Sequence, residues 1–350
     1  MSADTRQQPP ELSIVVPCYN EEPVIRETAS RLTALLKTLI ASNQIGSSSQ
    51  IVFIDDGSKD ETWNLIEDLA RRHSAIRGIK LSRNFGHQIA VLAGLLTVRG
   101  DAVVSIDADL QDDLSAIVEM IDAYRHGSEV VYGVRRRRST DTFLKRMTAE
   151  AYYRLLKRLG VEIVFNHADY RLLGRRAIAA LSEYDEVNLF LRGLIPQIGF
   201  RTSTVYYDRG ERFAGESKYP LGKMLALAWN GVTSFSAAPL RFITGFGIII
   251  ALISLGMAIW ALGVRLLEHS AVPGWASSVV PMYLLGGIQL FAIGLLGEYL
   301  AKTYLETKRR PRFFIEKSIA SDSARSTDAR SINRVEATEH TGSTHLPAHL

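Results

Sequence analysis

At 350 residues the chain exceeds the usual size of one domain, so a large domain with an additional part is expected. The net charge of +4 is modest and gives no ground for a nucleic-acid partner. A single cysteine, Cys18, excludes an intrachain disulfide and agrees with a reducing compartment.

The first stretch, 1–11, is polar, with Asp4 and Arg6 and no apolar run behind a basic start, so no signal peptide is expected. Leu12 to Pro17 reads as a strand. Asn20-Glu21-Glu22-Pro23 then supplies a cap, acidic first-turn residues and an early proline, which open a helix to about Ile40. A polar loop leads to a second strand, Ile51 to Ile54, ending in Asp55-Asp56-Gly57-Ser58. Ser58 and Glu61 have the spacing of a capping box for a helix to His73. Ile76 to Leu81 reads as a strand, Gln88 to Val98 as a helix and Ala102 to Ile106 as a strand. A helix from Leu114 to Tyr124 and a strand from Glu129 to Tyr132 follow. This alternation predicts an α/β domain with a mostly parallel sheet covered on both faces.

From Arg135 to Arg158 nine basic residues face only Asp141 and Glu150, and Tyr152, Tyr153, Leu155, Leu156 and Leu159 recur at helical spacing. The segment reads as a basic amphipathic helix, packed on the sheet, set against anionic membrane lipids, or both. Thr202 to Tyr207 is a further strand, 209–220 a polar loop, and Leu221 to Phe235 a second amphipathic segment. Two stretches, 242–264 and around 279–303, are largely free of charge and long enough for transmembrane helices. Six basic residues between Lys302 and Lys317 then predict a multi-pass protein of the cytoplasmic membrane with both ends inside. The expected layout is therefore a polar segment 1–11, a cytoplasmic domain 12–220, a juxtamembrane segment 221–241, a span 242–264, an external loop 265–278, a span 279–303 and a basic, disordered tail 304–350.

The chemistry is carried by Asp107-Ala108-Asp109-Leu110-Gln111. An apolar strand that stops at carboxylates places them where ligands sit in open α/β sheets. Two carboxylates and an amide oxygen, from Asp107, Asp109 and Gln111, offer hard donors for Mg²⁺ or Mn²⁺ and leave room for phosphate oxygens. Alone, such a motif reads more readily as a solvated acidic turn. It is, however, the fourth of four signals at successive strand ends, after Pro17-Cys18-Tyr19-Asn20-Glu21, Asp55-Asp56-Gly57-Ser58 and Arg83-Asn84-Phe85-Gly86-His87-Gln88.

That ordered set resembles the nucleotide-sugar domain of glycosyltransferase family 2. With Asn166-His167-Ala168-Asp169-Tyr170-Arg171-Leu172 and Arg212-Phe213-Ala214-Gly215-Glu216-Ser217-Lys218-Tyr219-Pro220, it is similar to the polyprenyl-phosphate glycosyltransferases, among them bactoprenol glucosyltransferases and dolichyl-phosphate mannose synthases. The resemblance implies a GT-A type, Rossmann-like domain and an inverting, metal-dependent transfer of a hexose, such as glucose, from a nucleotide sugar to polyprenyl phosphate. The motif wording points to a uridine nucleotide. By the same resemblance Pro17, Tyr19, Glu21, Asp55, Asp56 and Asp107 bind the donor, with Asp56 divided between binding and a turn role, and Asp109 stands with Asp169 at the chemistry. Family precedent also implies a homo-oligomer, as large as a tetramer. Arg135, Arg212, Ser217 and Lys218 are the residues expected to cradle the acceptor phosphate. The family assigns a base to the position of Asp169; since a phosphate monoester is mostly dianionic at neutral pH, Asp169 is expected to position rather than deprotonate the acceptor. His87 reads more readily as a structural histidine. Two departures stand out: Tyr170 where phenylalanine is common, and Asp112-Asp113-Leu114 in place of Asp-Pro-Pro. A processive polysaccharide synthase is the nearest rival, but its Gln-x-x-Arg-Trp motif is absent; a nucleotide-binding membrane adaptor is the rival from another class.

Overall fold

A computed structural model describes residues 8–136, 167–186, 191–208 and 275–320, with a few positions between 240 and 256. The elements are β1 (Leu12–Cys18), α1 (Ile25–Ala41), β2 (Gln50–Asp55), α2 (Thr62–Arg72), β3 (Ile76–Leu81), α3 (His87–Thr97), β4 (Ala102–Ser105) and α4 (Ala116–Arg125). They continue with β5 (Val130–Arg135), β6 (His167–Gly174), α5 (Arg175–Ser182), α6 (Leu191–Gln197), β7 (Thr202–Tyr207), α7 (Trp275–Thr307) and β8 (Ile315–Ile319).

Every residue of β1 is buried, as a central strand with both faces covered requires. Alternation divides its side chains. Ile14 and Val16 join Phe53 of β2 and the Leu32, Leu36 and Leu39 stripe of α1 on one face, together with α2 and α4. Val15 joins Val52 and Ile54 of β2, α3, α5 and α6 on the other. Each fully buried aliphatic side chain stabilises this sandwich by about 1.5–3 kcal/mol.

The sheet has eight strands in the order β7-β5-β6-β4-β1-β2-β3-β8. Pairings of β1 with β2 and β4, of β2 with β3, and of β5 with β7 are parallel; those of β6 with β4 and β5, and of β8 with β3, are antiparallel. The chain runs outward from β1 to β3 and then returns to lay β4 on the other side of β1. This reversal opens a crevice at the carboxyl ends of β1 and β4, where ligands of such sheets bind.

Three expectations need correction. Ser58 does not cap α2: the N-cap is Glu61, without a side-chain cap bond, and the Ser58 hydroxyl instead accepts the backbone N–H of Asn20 at 2.9 Å. The sheet is mixed, because β6 and β8 run against their neighbours. The two transmembrane helices are not met: among the described residues no helix is long and apolar enough to cross a membrane. That finding also overturns the multi-pass membrane placement. Of 242–264 only scattered positions are described. The stretch 279–303 falls within α7, which contains Gln289 and continues through Glu298, Lys302 and Glu306. The basic helix at 142–159, the segment 221–239 and the tail beyond 320 lie outside the described residues. Just before that point β8 pairs with β3, with a Lys317 to Glu67 ion pair at 2.9 Å holding it on the edge.

Candidate active site

The turns after β1 and β2 are laced together. Asn20, at φ +55°, presents its side-chain oxygen to the Lys59 N–H at 2.8 Å, and the Thr62 hydroxyl accepts the Glu21 N–H at 2.9 Å. Tyr19 is 40% exposed beside them, while Pro17 is buried within β1. Asp55 is fully buried; its Oδ1 accepts the Ser58 N–H at 3.2 Å, and among the described residues its Oδ2 has no hydrogen-bond partner. Burial pushes this carboxyl upward, against the hydrogen bonds from Ser58.

Asp56 has a different task. Its two oxygens accept the N–H groups of Phe85 and Gly86 at 2.7 and 2.9 Å, which holds the loop leading into α3. The approach is tight at Gly57, where φ is +69° and a Cβ would lie 2.6 Å from the Arg83 carbonyl carbon. Gly57→Ala is expected to lower stability by about 2 kcal/mol, measured by urea denaturation, because both the backbone angle and the contact oppose a side chain.

After β4, the Ile106 N–H is accepted by the Val15 carbonyl at 3.0 Å, which extends the pairing to the edge of the acidic turn. Leu110 lies at φ +56°, and the Asp109 Oδ1 accepts the Gln111 N–H at 3.2 Å. The Asp107 side chain keeps 38% of its surface open, so the protein crowds it without sealing it. That crowding pushes its carboxyl up to about 6; His87 opposes the shift, and the charges of Asp112, Asp169 and Asp109 add to it. Among the described residues no three His, Cys, Asp or Glu side chains form a metal-holding group. The donor set nevertheless fits a magnesium-like ion shared with a substrate, which typically takes one or two carboxylates and completes its shell with phosphate and water. A dication would also relieve the repulsion recorded in the raised Asp107 carboxyl.

The antiparallel course of β6 brings its first residues to the carboxyl end of β4: Arg171 pairs with Ser105, and the Ser105 hydroxyl donates to the Asp169 carbonyl at 2.6 Å. Asp169 thereby joins the turn of Asp107. His87, the first residue of α3, lies between them, its Nε2 at 3.5 Å from an oxygen of each. Two arginines also hold Asp169. Arg171, sealed from solvent, contacts Oδ1, and Arg192 grips both oxygens at 3.2 and 3.0 Å. Burial would raise the Asp169 carboxyl, but His87, Arg171 and Arg192 outweigh it and hold it well below the ordinary range. His87 is shifted up: burial opposes its charged form, and Asp169 and Asp107 more than compensate.

Arg135 is held by Asp112 and Tyr207. Its Nη2 lies 3.5 Å from Asp112 Oδ1 and its Nε donates to the Tyr207 hydroxyl at 3.2 Å; that hydroxyl donates to Asp112 at 2.6 Å. Arg212, Ser217 and Lys218 lie outside the described residues. His87 stands in a strand-end motif that leaves its role open between structural and functional, whereas Arg192 lies in a segment, Leu191-Arg192-Gly193-Leu194, with no motif signal at all.

The family model for glycosyl transferase family 2 matches residues 13–181. The uncharacterized glycosyltransferase YkoT of Bacillus subtilis is 50% identical over 313 residues, 89% of this chain and 93% of that protein. The prophage bactoprenol glucosyl transferase homolog of Escherichia coli is 38% identical over 308 residues, 87% of this chain and 98% of that one. Among solved structures, a mannosyltransferase of Pyrobaculum calidifontis in complex with GDP-Man and Mn²⁺ is 17% identical with a TM-score of 0.41, covering 86% of this chain and 90% of that one. Four strand-end signals meeting in one crevice, and relatives matched along almost their whole length, lead to one conclusion: the chain belongs to glycosyl transferase family 2.

Proposed function

We propose that this glycosyltransferase moves a hexose, glucose in the first instance, from a uridine diphosphate sugar to polyprenyl phosphate with inversion at the anomeric carbon. The observation that carries the reading is the meeting of Asp107 and Asp169 across His87, which sets a donor-side carboxylate turn and an acceptor-side carboxylate in one cleft. The bactoprenol glucosyl transferase relatives support the choice of acceptor and sugar.

Asp55, buried with an unpartnered Oδ2, suits an N–H donor of a nucleobase, and exposed Tyr19 suits a stacked ring. Asp107, Asp109 and Gln111 would hold Mg²⁺ or Mn²⁺, whose charge stabilises the departing diphosphate. An acceptor phosphate oxygen attacks the anomeric carbon as the bond to the nucleoside diphosphate breaks, and a single displacement of this kind inverts the centre. A phosphate monoester has its second pKa near 6, so at neutral pH the nucleophile already carries its electrons free of a proton. Asp169, held ionised by its arginines, therefore orients the reacting groups by charge and leaves no proton to be taken. Asp56, with both oxygens on backbone N–H groups, shapes the loop before α3.

The test is a panel of radiolabelled nucleotide sugars offered with a short-chain polyprenyl phosphate, with and without Mn²⁺. Metal-dependent formation of a single polyprenyl-phosphate sugar is expected. A growing polymer would indicate a processive synthase, and no transfer from any donor would indicate a binding adaptor.

A further inference from the structure

The acidic turn after β4 is gripped from two sides. On one, the buried Thr28 hydroxyl of α1 donates to the Ala108 carbonyl at 2.7 Å. On the other, the carboxylate of buried Asp112 accepts the Tyr207 hydroxyl at 2.6 Å. Asp109, Leu110 and Gln111 lie between these anchors. Leu110 is in the left-handed region at φ +56°, a conformation that a leucine keeps only where its surroundings fix it.

Tyr207 is itself rigidly set. It ends β7 in register with Arg135 at the end of β5, so both stand at the carboxyl edge of a parallel pair. Its ring meets that of Tyr170 edge-on with 5.2 Å between centroids, and the Tyr170 hydroxyl donates to the Asp113 carbonyl at 2.9 Å. Arg135 Nε donates to the Tyr207 oxygen at 3.2 Å, and a hydroxyl that accepts from a cation is a stronger donor to the carboxylate beyond it. Burial and the charge of Asp112 push the tyrosine upward, so it remains a protonated donor. With only 3% of its surface open, Tyr207 acts through Asp112 rather than on a ligand.

We propose that Tyr207 is a positioning residue for the metal: its hydroxyl, through Asp112, fixes the turn on which Asp109 and Gln111 present their oxygens to Mg²⁺ or Mn²⁺. This rests on the reading of those residues as metal ligands above.

The experiment titrates Mn²⁺ into the full chain at saturating UDP and follows free Mn²⁺ by electron paramagnetic resonance, with thermal melting of each variant beside it. Y207F removes one oxygen and keeps the ring against Tyr170; it is expected to weaken Mn²⁺ binding about 10-fold, the lower end of the range for groups that orient metal ligands. Y124F makes the same chemical change at the opposite end of β4, where the Tyr124 hydroxyl donates to the Asp101 carbonyl at 2.9 Å. There Mn²⁺ affinity should stay within about twofold of the wild type, as for a distant and independent site. A Y207F chain that binds Mn²⁺ as the wild type does would overturn the proposal, whatever its melting temperature. Equal losses in Y207F and Y124F would overturn it as well, since a general loosening of the domain would then account for both. A wild-type chain that binds no Mn²⁺ beside UDP would refute the metal reading itself, and this inference with it.

Discussion

Asp109→Ala is expected to reduce metal-dependent sugar transfer by about 10³-fold, the scale of several kcal/mol of lost charge stabilisation at the leaving group. The fold should survive the change. The Asp109 carboxylate accepts the Gln111 N–H at 3.2 Å on a partly exposed turn, and losing that hydrogen bond costs about 1 kcal/mol. Initial rates across a Mn²⁺ titration, beside a urea melt, separate the two effects; a variant that retains its rate would remove Asp109 from the chemistry. The neighbouring Asp107 adds a pH signature. Its carboxyl is pushed up to about 6, so proton and cation compete for it, and apparent Mn²⁺ affinity should weaken as pH falls through that value. Calorimetric titrations at pH 5.5 and 7.5 would show the difference.

Asp169→Asn is expected to act on both rate and stability. The rate should fall by about 10²-fold, because the arginine fork and His87 lose the anion that orders them. The acidic limb of the pH profile should persist. In the wild type that limb is expected from the acceptor phosphate of the proposed reaction and from Asp107, since Asp169 is held well below the ordinary carboxylate range. Loss of the limb in the variant would instead identify Asp169 as a base. On the stability side, Arg171 would stay buried without its counter-charge, with Nε and Nη1 already lacking partners among the described residues. Removing one partner of a buried pair costs about 3–5 kcal/mol, so the midpoint of urea unfolding should drop clearly. The sign with pH follows from the depressed carboxyl. The stability it contributes is fully present above the unfolded value near 4, and is lost as pH falls through the lower folded value. The gap between wild type and variant should therefore be constant from neutrality to about pH 5 and close under more acid conditions.

Much of the half built from β1 to β4 could be read from local sequence. Apolar runs such as Ser13-Ile14-Val15-Val16, ending in turn and carboxylate residues, identify buried parallel strands, because only such strands need both faces apolar. Alternation with helices then forces the strand ends onto one edge, and Tyr19, Asp55 and Asp107 follow there. Local patterns failed where a residue had two uses. Ser58 fits a capping box, yet its hydroxyl serves the turn after β1, across 38 residues. Asp56, divided in the sequence between a ligand and a turn, has each of its oxygens on a backbone N–H of the loop after β3. The charge-free stretch within α7 fitted a membrane span, and no described helix meets that requirement.

The acidic turn, the succession of strands and helices along the chain and the family were all legible in short-range features: hydrophobic period, turn residues and motif spacing. The charge cluster around Asp169 was decided by the tertiary structure. An antiparallel β6 carries Asp169 to the end of β4, and the docking of α6 on α3 brings Arg192 from 23 residues away to the same carboxylate. No periodicity encodes such a meeting, because a charge cluster assembled from separate elements depends on how their faces pack. That packing left Asp169 held by two arginines, only one of them open to solvent.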